Sequence, residues 1–310
     1  MNIDLVYLWV DGNDPEWQAK RKPFFGNTEE NSEINCIGRH ANNDELKYSL
    51  RSAEKYAPWI RKIFIVTDNQ TPEWLDVKNP KINIIDHKDI MPKVCLPCFN
   101  PFIIEYFLHK IPDLSEHFLF ANDDMFFNAD LQPDFFFAND GFPIVRLKKY
   151  PFETLIYRIR FIIGKIPGQY RRAIMDSATL VKRKFGKYYS ELPHHNIDAY
   201  KKSDYQKAIE DIFWDLAENC LTHRVRTVGD LHRSVISFYT LAIGHGHLKR
   251  VKNNETMRIP VHKPDFMEIL QRSQPKLFCL NDCQRTKDSD RERIRPFLEK
   301  LFPEKSAFEK

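Results

Sequence analysis

The sequence predicts an α/β protein built on an open, largely parallel sheet, and three observations carry that reading. Short apolar runs alternate with stretches of helical periodicity through the first half of the chain. Four apolar runs end directly on aspartates: "VYLWV" on Asp11, "IFIVT" on Asp68, "FLFAN" on Asp123 and Asp124, and "LFCLN" on Asp282. The 310 residues, 42% hydrophobic and 13% aromatic, suffice for one large domain or a core with a lobe, and exclude a globally disordered chain.

Taken in order, "IDLVYLWV" (3–10) reads as a buried first strand. "NDELKYSLRSAEKYAP" (43–58) opens on an Asn/Asp cap and places Leu46, Leu50, Ala53 and Tyr56 at helical spacing. "KIFIVT" (62–67), "KINII" (81–85), "HFLFA" (117–121) and "PIVRL" (143–147) read as strands, and "FIIEYFLHKI" (102–111) as a helix. From about 151 to 250 the strand rhythm stops. "FETLIYRIRFIIG", "RRAIMDSATLVKRKFG", "SDYQKAIEDIFWDLAENC" and "LHRSVISFYTLAIGHG" all read as helices, several ended by Gly. A basic cluster, Arg158, Arg160, Lys165, Arg171, Arg172, Lys182, Arg183 and Lys184, has a solvated helix face as its ordinary reading. "KLFCLND" (276–282) returns to strand character, and "RERIRPFLEKLFP" is a terminal helix. The predicted organisation is an α/β core over 1–150, a helical lobe over 151–250, and a return to the core with the last strand over 251–310.

Composition narrows the function. The net charge of +4, from 47 basic and 43 acidic side chains, is a weak basic bias that fits a phosphate-bearing partner. No Lys/Arg tract is interleaved with aromatics, which argues against a nucleic-acid partner. No apolar run approaches the roughly 20 residues that span a bilayer. The start carries Asp4 and lacks a basic flank, so a cytoplasmic location is expected, with peripheral association at the inner membrane compatible with it. The six cysteines should then be reduced thiols. "CLPC" (Cys95, Cys98) and "CLNDC" (Cys279, Cys283) together supply the raw material of a four-thiolate zinc site, but scattered thiols are the preferred reading.

In a largely parallel sheet the carboxyl ends of the strands share one edge, where ligands bind. One Asp after a strand is ordinary turn chemistry. Four strand ends carrying acids suit Mg²⁺ or Mn²⁺, which take oxygen ligands together with substrate phosphates. The rim also resembles the acidic pairs of nucleotide-sugar glycosyltransferases, although "NDD" is not their usual D-x-D. Two further constellations stand in the helical half. "LPHHNID" places His194 and His195 near Asp198, and "THRVRTVGD" places His223, Arg224 and Arg226 before Asp230. Histidine can take a hydroxyl proton near neutral pH, and arginine can hold phosphate oxygens with two donors.

"IDLVYLWVDGNDPEW", "NDELKYSLRSAEKYAPWIRKIFIVTDNQTPEWL", "HFLFANDDMFF", "PHHNID" with "HRVRTVGD", and "FCLND" resemble, in order, the four regions of the Stealth proteins. These are sugar-1-phosphate transferases of bacterial capsule synthesis, and the animal N-acetylglucosamine-1-phosphotransferase belongs with them. The resemblance runs from residue 3 to about 285. It implies a Rossmann-like, glycosyltransferase-A-like fold with the helical lobe inserted before the last core strand. It also implies a reaction: hexose-1-phosphate, expected to be N-acetylglucosamine-1-phosphate, passes from a UDP-sugar to a glycan or sugar-phosphate hydroxyl with release of UMP.

Carried over by motif, the expected catalytic residues are His195, Asp124 and Arg226. The metal ligands are Asp123, Asp124 and Asp282. Substrate contacts fall to Asp11, Gly12, Asp68, Asn100, Asn122, Arg224 and Asn281. His194 stands where relatives often have proline. Pro101 stands where the family commonly has serine after Phe-Asn, which weakens the expected donor contact there. The rival readings are a metal-dependent glycosyltransferase releasing UDP and a glycan-binding protein using its five tryptophans.

Overall fold

The computed structural model describes residues 1–25, 36, 38, 40–149, 159, 164 and 168–310. In chain order its strands are β1 (Ile3–Leu8), β2 (Ile63–Thr67), β3 (Ile82–Asp86), β4 (His117–Asn122), β5 (Met125–Phe127), β6 (Ile144–Lys148), β7 (Leu192–Pro193), β8 (Asp198–Lys201), β9 (His247–Arg250), β10 (Thr256–Pro260) and β11 (Leu277–Asn281). The central sheet has the order β3-β2-β1-β4-β8; its first four strands run parallel and β8 is an antiparallel edge. This is the mainly parallel α/β architecture expected. β1 and β2 are covered on both faces, which is why their sequences are continuous apolar runs rather than alternations.

Strand order reverses between β1 and β4, whose neighbours β2 and β8 lie on opposite sides. That switch point is where an open α/β sheet leaves a crevice beyond its strand ends. β4 does not lead into a long crossover. After the two-residue turn Asp123–Asp124 it continues as β5, which enters a second sheet with β11 and β10. The helix Glu45–Tyr56 clamps this junction through two small polar residues. Ser49 shares a 2.7 Å hydrogen bond with the Tyr7 hydroxyl and donates to the Met125 carbonyl at 2.5 Å; the Phe127 N–H donates to the Ser52 hydroxyl at 3.1 Å.

Several elements differ from expectation. The helix cap at 43–44 is inverted: Asp44 is left-handed at φ 65° and makes no side-chain cap. Instead Glu45 receives the Asn43 N–H and side-chain amide, each at 2.7 Å. The run at 102–111 shortens to a helix at Pro101–Glu105 and a tight turn at Leu108–Lys110. Its apolar residues are buried all round rather than on one stripe, so helical periodicity was never its constraint. The stretch 203–220 is broken into Lys202–Gln206, a wide turn at Lys207–Ile212, and Trp214–Glu218. The helices read at 171–186 and 231–246 form, as Gln169–Phe185 and Ser234–Ile243. Apart from Ile159 and Gly164, the helix read at 152–164 lies outside the described residues, as do Arg158, Arg160 and Lys165.

Between 151 and 250 the strand rhythm does not stop. β8 completes the central sheet, and β7 and β9 flank β6 in a third sheet. β11 lies in the second sheet, between two cores. Leu277 and Cys279 face the cluster of Leu5, Leu119 and Met125, while Phe278 and Leu280 face that of Ile294, Leu298 and Phe302. One core cluster runs from Val6 to Ala242 and another from Ile3 to Phe308, so the three predicted segments share their interiors. No helix among the described residues is long and apolar enough to cross a membrane.

Candidate active site

A cleft of about 210 Å³ opens at the switch point, beyond the carboxyl ends of β1 and β4. Asn122, Asp123 and Asp124 enter from the β4–β5 turn, Asn281 and Asp282 from the end of β11, and His195 and Arg226 from two loops of the middle segment. Residues far apart in sequence thus meet in one crevice.

The floor is acidic. Burial and the negative charges of Glu45 and Asp124 push the Asp123 carboxyl well above the usual range. Burial pushes Glu45 up to about 7; the Asn43 amides partly offset this, and Asp124 adds to it. The Cys279 thiol donates to Asp124 Oδ2 at 3.2 Å and is itself held protonated, by burial first and the Asp124 charge second. Asp282 is gripped by Arg291 through two bonds of 2.7 and 3.1 Å. Gly38 lies so close that a Cβ there would sit 2.3 Å from Asp282 Oδ1.

The cleft lining also carries basic side chains, among them His195, Arg226 and Arg233. His195 has a left-handed backbone, φ 55°, an uncommon state for a residue with a side chain. The twist separates two neighbouring histidines. His195 lines the cleft and shares a 3.1 Å hydrogen bond between Nδ1 and the Tyr170 hydroxyl. His194 is buried and bonds Asp198 Oδ1 at 3.0 Å; Asp198 Oδ2 takes Arg233 at 2.9 Å, and Arg233 reaches Glu105 at 3.3 Å. Burial alone would raise the Asp198 carboxyl, but the His194 bond and the Arg233 charge hold it far below the usual range. For Glu105 burial wins over the attraction of Arg233 and Arg226, and its carboxyl is raised.

Arg226 is aimed by a bracket beneath its loop. Asp230 takes His223 Nδ1 at 2.6 Å, and its other oxygen takes the Asn100 amide and the Thr227 N–H, each at 2.7 Å. The Arg226 guanidinium stands 5.3 Å over the Phe102 ring. Cys220, His223 and Asp230 are the one group of possible metal ligands within 4.8 Å of one another among the described residues. The Asp230 bonds account for that group as a loop clamp.

Residues 1–28 match the Stealth protein CR1, conserved region 1; 39–145 match CR2, conserved region 2; and 267–310 match CR4, conserved region 4. The capsular polysaccharide phosphotransferase WcwK of Streptococcus pneumoniae is 30% identical over 99% of both chains. This chain belongs to the Stealth family. The receptor polysaccharide phosphotransferase WefC of Streptococcus oralis is likewise 30% identical over 99% of both chains. The capsular polysaccharide phosphotransferase cps1A of Actinobacillus pleuropneumoniae is 50% identical over 45% of this chain and 39% of its own. Among solved structures, the galactosyltransferase LgtC superposes with a TM-score of 0.45 at 12% identity over 96% of both chains.

The cleft of this Stealth chain brings together seven of the residues singled out by motif: Asn122, Asp123, Asp124, His195, Arg226, Asn281 and Asp282. The other five lie off its lining. Asp11 closes a local turn by accepting the Asn13 N–H at 2.9 Å. Gly12 is a close-approach glycine, since a Cβ there would lie 1.9 Å from the His40 carbonyl. Asp68 pairs with Lys20 at 2.5 Å. Asn100 supports the loop through Asp230, and Arg224 donates to the Val94 carbonyl at 2.7 Å. The thiols form no four-cysteine centre: Cys95 and Cys98 are packed in one core, Cys279 faces another beside Asp124, and Cys283 contacts His262. Sequence reasoning passed over Glu45, Glu105, Tyr170, His232 and Arg233, all on the cleft wall. For Glu105 a signal existed: a lone acid inside the apolar run "FIIEYF" must be paired if it is buried.

Proposed function

We propose that this chain transfers a sugar-1-phosphate, N-acetylglucosamine-1-phosphate in the first instance, from a UDP-sugar to a hydroxyl of a glycan or sugar-phosphate acceptor, in capsular or exopolysaccharide synthesis. The observation that carries the reading is the meeting of His195 and Arg226 with the Asp123–Asp124 turn in one cleft. The names of the full-length relatives, polysaccharide phosphotransferases, support the same class of transfer.

The acceptor oxygen bonds to the β-phosphorus, the bond from that phosphorus to the bridging oxygen breaks, and UMP departs with the bridging oxygen. The hydroxyl proton passes to His195. With the Tyr170 oxygen accepting from Nδ1–H, Nε2 is left as the basic nitrogen. Arg226 bonds the transferred phosphoryl oxygens, where charge must be balanced as the bonds exchange. Mg²⁺ or Mn²⁺ fits the acid floor: the half-buried Asp123 and Asp124 crowd against the buried Glu45, and their oxygens are the donors such an ion prefers. Asp123 and Asp124 would hold it, and Asp282 would join only by loosening its grip on Arg291. Bound there, the ion would neutralise the diphosphate.

The test is the product. Phosphorus NMR should show a phosphodiester, and chromatography should show UMP appearing in step with it. The anomeric configuration should be retained, because the bond from the anomeric carbon to oxygen is never broken. UDP without a phosphodiester signal would make this a plain glycosyltransferase and overturn the reading.

A further inference from the structure

His232 lines the cleft, is 3% exposed, and has no part in the chemistry above. The Ser234 backbone N–H donates to its Nδ1 at 3.1 Å. A backbone amide only donates, so Nδ1 is unprotonated and the ring hydrogen sits on Nε2. The ring is fixed edge-on between Phe102, at 4.9 Å between centroids and 83°, and Tyr170, at 5.3 Å and 89°. The Ser177 hydroxyl, whose proton goes chiefly to the Ala173 carbonyl at 2.8 Å, stands 3.3 Å from the His232 carbonyl. Burial, then the charges of Arg233, His195 and Arg226, push its pKa well below the usual histidine range, against a small opposing pull from Asp198. The ring is therefore neutral, of one tautomer, and restrained on three sides.

We propose that His232 is a substrate-contacting donor whose Nε2–H, the tautomer imposed by Ser234, bonds a phosphoryl oxygen of the donor held in the cleft. This rests on the cleft taking a nucleoside-diphosphate sugar. Arg226 supplies charge; His232 supplies direction, a fixed N–H that needs no reorganisation as the phosphoryl group moves. The same packing joins it to the proposed base, since Tyr170 contacts both His195 and His232 at 5.3 Å between ring centroids.

Long-range proton–nitrogen NMR of histidine-labelled protein, with His232→Gln giving the assignment, should show a neutral Nε2–H ring at pH 7. An imidazolium or an Nδ1–H ring would overturn the proposal. In turnover assays His232→Ala should lower kcat/KM on the order of 10²-fold, the usual effect of losing one preorganised donor, and weaken UDP-sugar binding in calorimetry. His232→Gln, which keeps an N–H, should recover most of that loss. A folded His232→Ala with wild-type kcat/KM would refute the assignment. If His232→Ala does not fold, the NMR of the wild type decides. Failure of the reaction itself would appear separately, as UDP in place of UMP from the wild-type protein, and leaves the ring's tautomer and the variants' donor affinity readable.

Discussion

Replacing each of the two adjacent histidines by alanine should give opposite phenotypes. His194 is 3% exposed and holds one oxygen of the half-buried Asp198, whose other oxygen stays with Arg233. Burial holds the His194 ring below the usual histidine range, so it gives Asp198 a hydrogen bond and not an ion pair; losing such a bond to a charged group costs about 1.5–3 kcal/mol. At about 2 °C per kcal/mol for a chain of this size, Tm should fall on the order of 5 °C. His195 is half-buried on the cleft lining, where its Nδ1 shares a hydrogen bond with the Tyr170 hydroxyl. His195→Ala should change Tm little and lower kcat on the order of 10²-fold, with donor binding largely kept. Scanning calorimetry and steady-state kinetics on both variants separate the cases. A crippled but stable His194→Ala beside a mildly affected His195→Ala would show that the base has been assigned to the wrong histidine.

Chelation should abolish turnover and Mg²⁺ or Mn²⁺ should restore it; full activity in excess EDTA after confirmed metal removal would sink the acid-floor assignment. Asp123→Asn should abolish turnover yet raise Tm in metal-free buffer, because it removes one of three crowded carboxyls that repel one another; a lower Tm would mean that the carboxylate is structurally required. Stability should also depend on pH through His87, which burial holds at about 4, far below its unfolded value of about 6.5. A depressed folded value means the stability is present above about 6.5 and is lost as pH falls towards 4. His87→Gln should flatten that part of the Tm–pH curve, and an unchanged slope would count against it.

The strands legible in the sequence were those whose surroundings impose one constraint. β1, β2 and β4 are buried on both faces, so every residue from Leu5 to Tyr7 or from Ile63 to Val66 had to be apolar. β8 left no such trace. Its four residues, Asp198 to Lys201, are half polar and pair only with β4, some 80 positions earlier, so tertiary contact alone makes them a strand. The broken helix at 202–218 failed to show for the related reason that its turn is set by a long bond, from the Phe213 N–H to the Ala208 carbonyl, which residue spacing does not announce.

The acid rim was half legible; strand order accounts for Asp68, whereas Asp11, at the end of β1 itself, is turned into a local bond with the Asn13 N–H. Acids after apolar runs locate strand ends, but which ends face the crevice depends on where the order reverses. That point lies between β1 and β4, so Asp123 and Asp124 line the cleft while Asp68, one strand away on β2, is free to pair with Lys20. The two adjacent aspartates cannot relax apart. β4 is fixed in the central sheet and β5 in the second, with only their turn between them, and the Ser49 and Ser52 bonds clamp the start and end of β5. The same helix delivers Glu45 beside them at its first turn. A fold that wanted only a polar turn could satisfy it with one aspartate at the surface. Crowding three carboxylates into one corner of the cleft, against their mutual repulsion, makes physical sense if a cation and a diphosphate complete it.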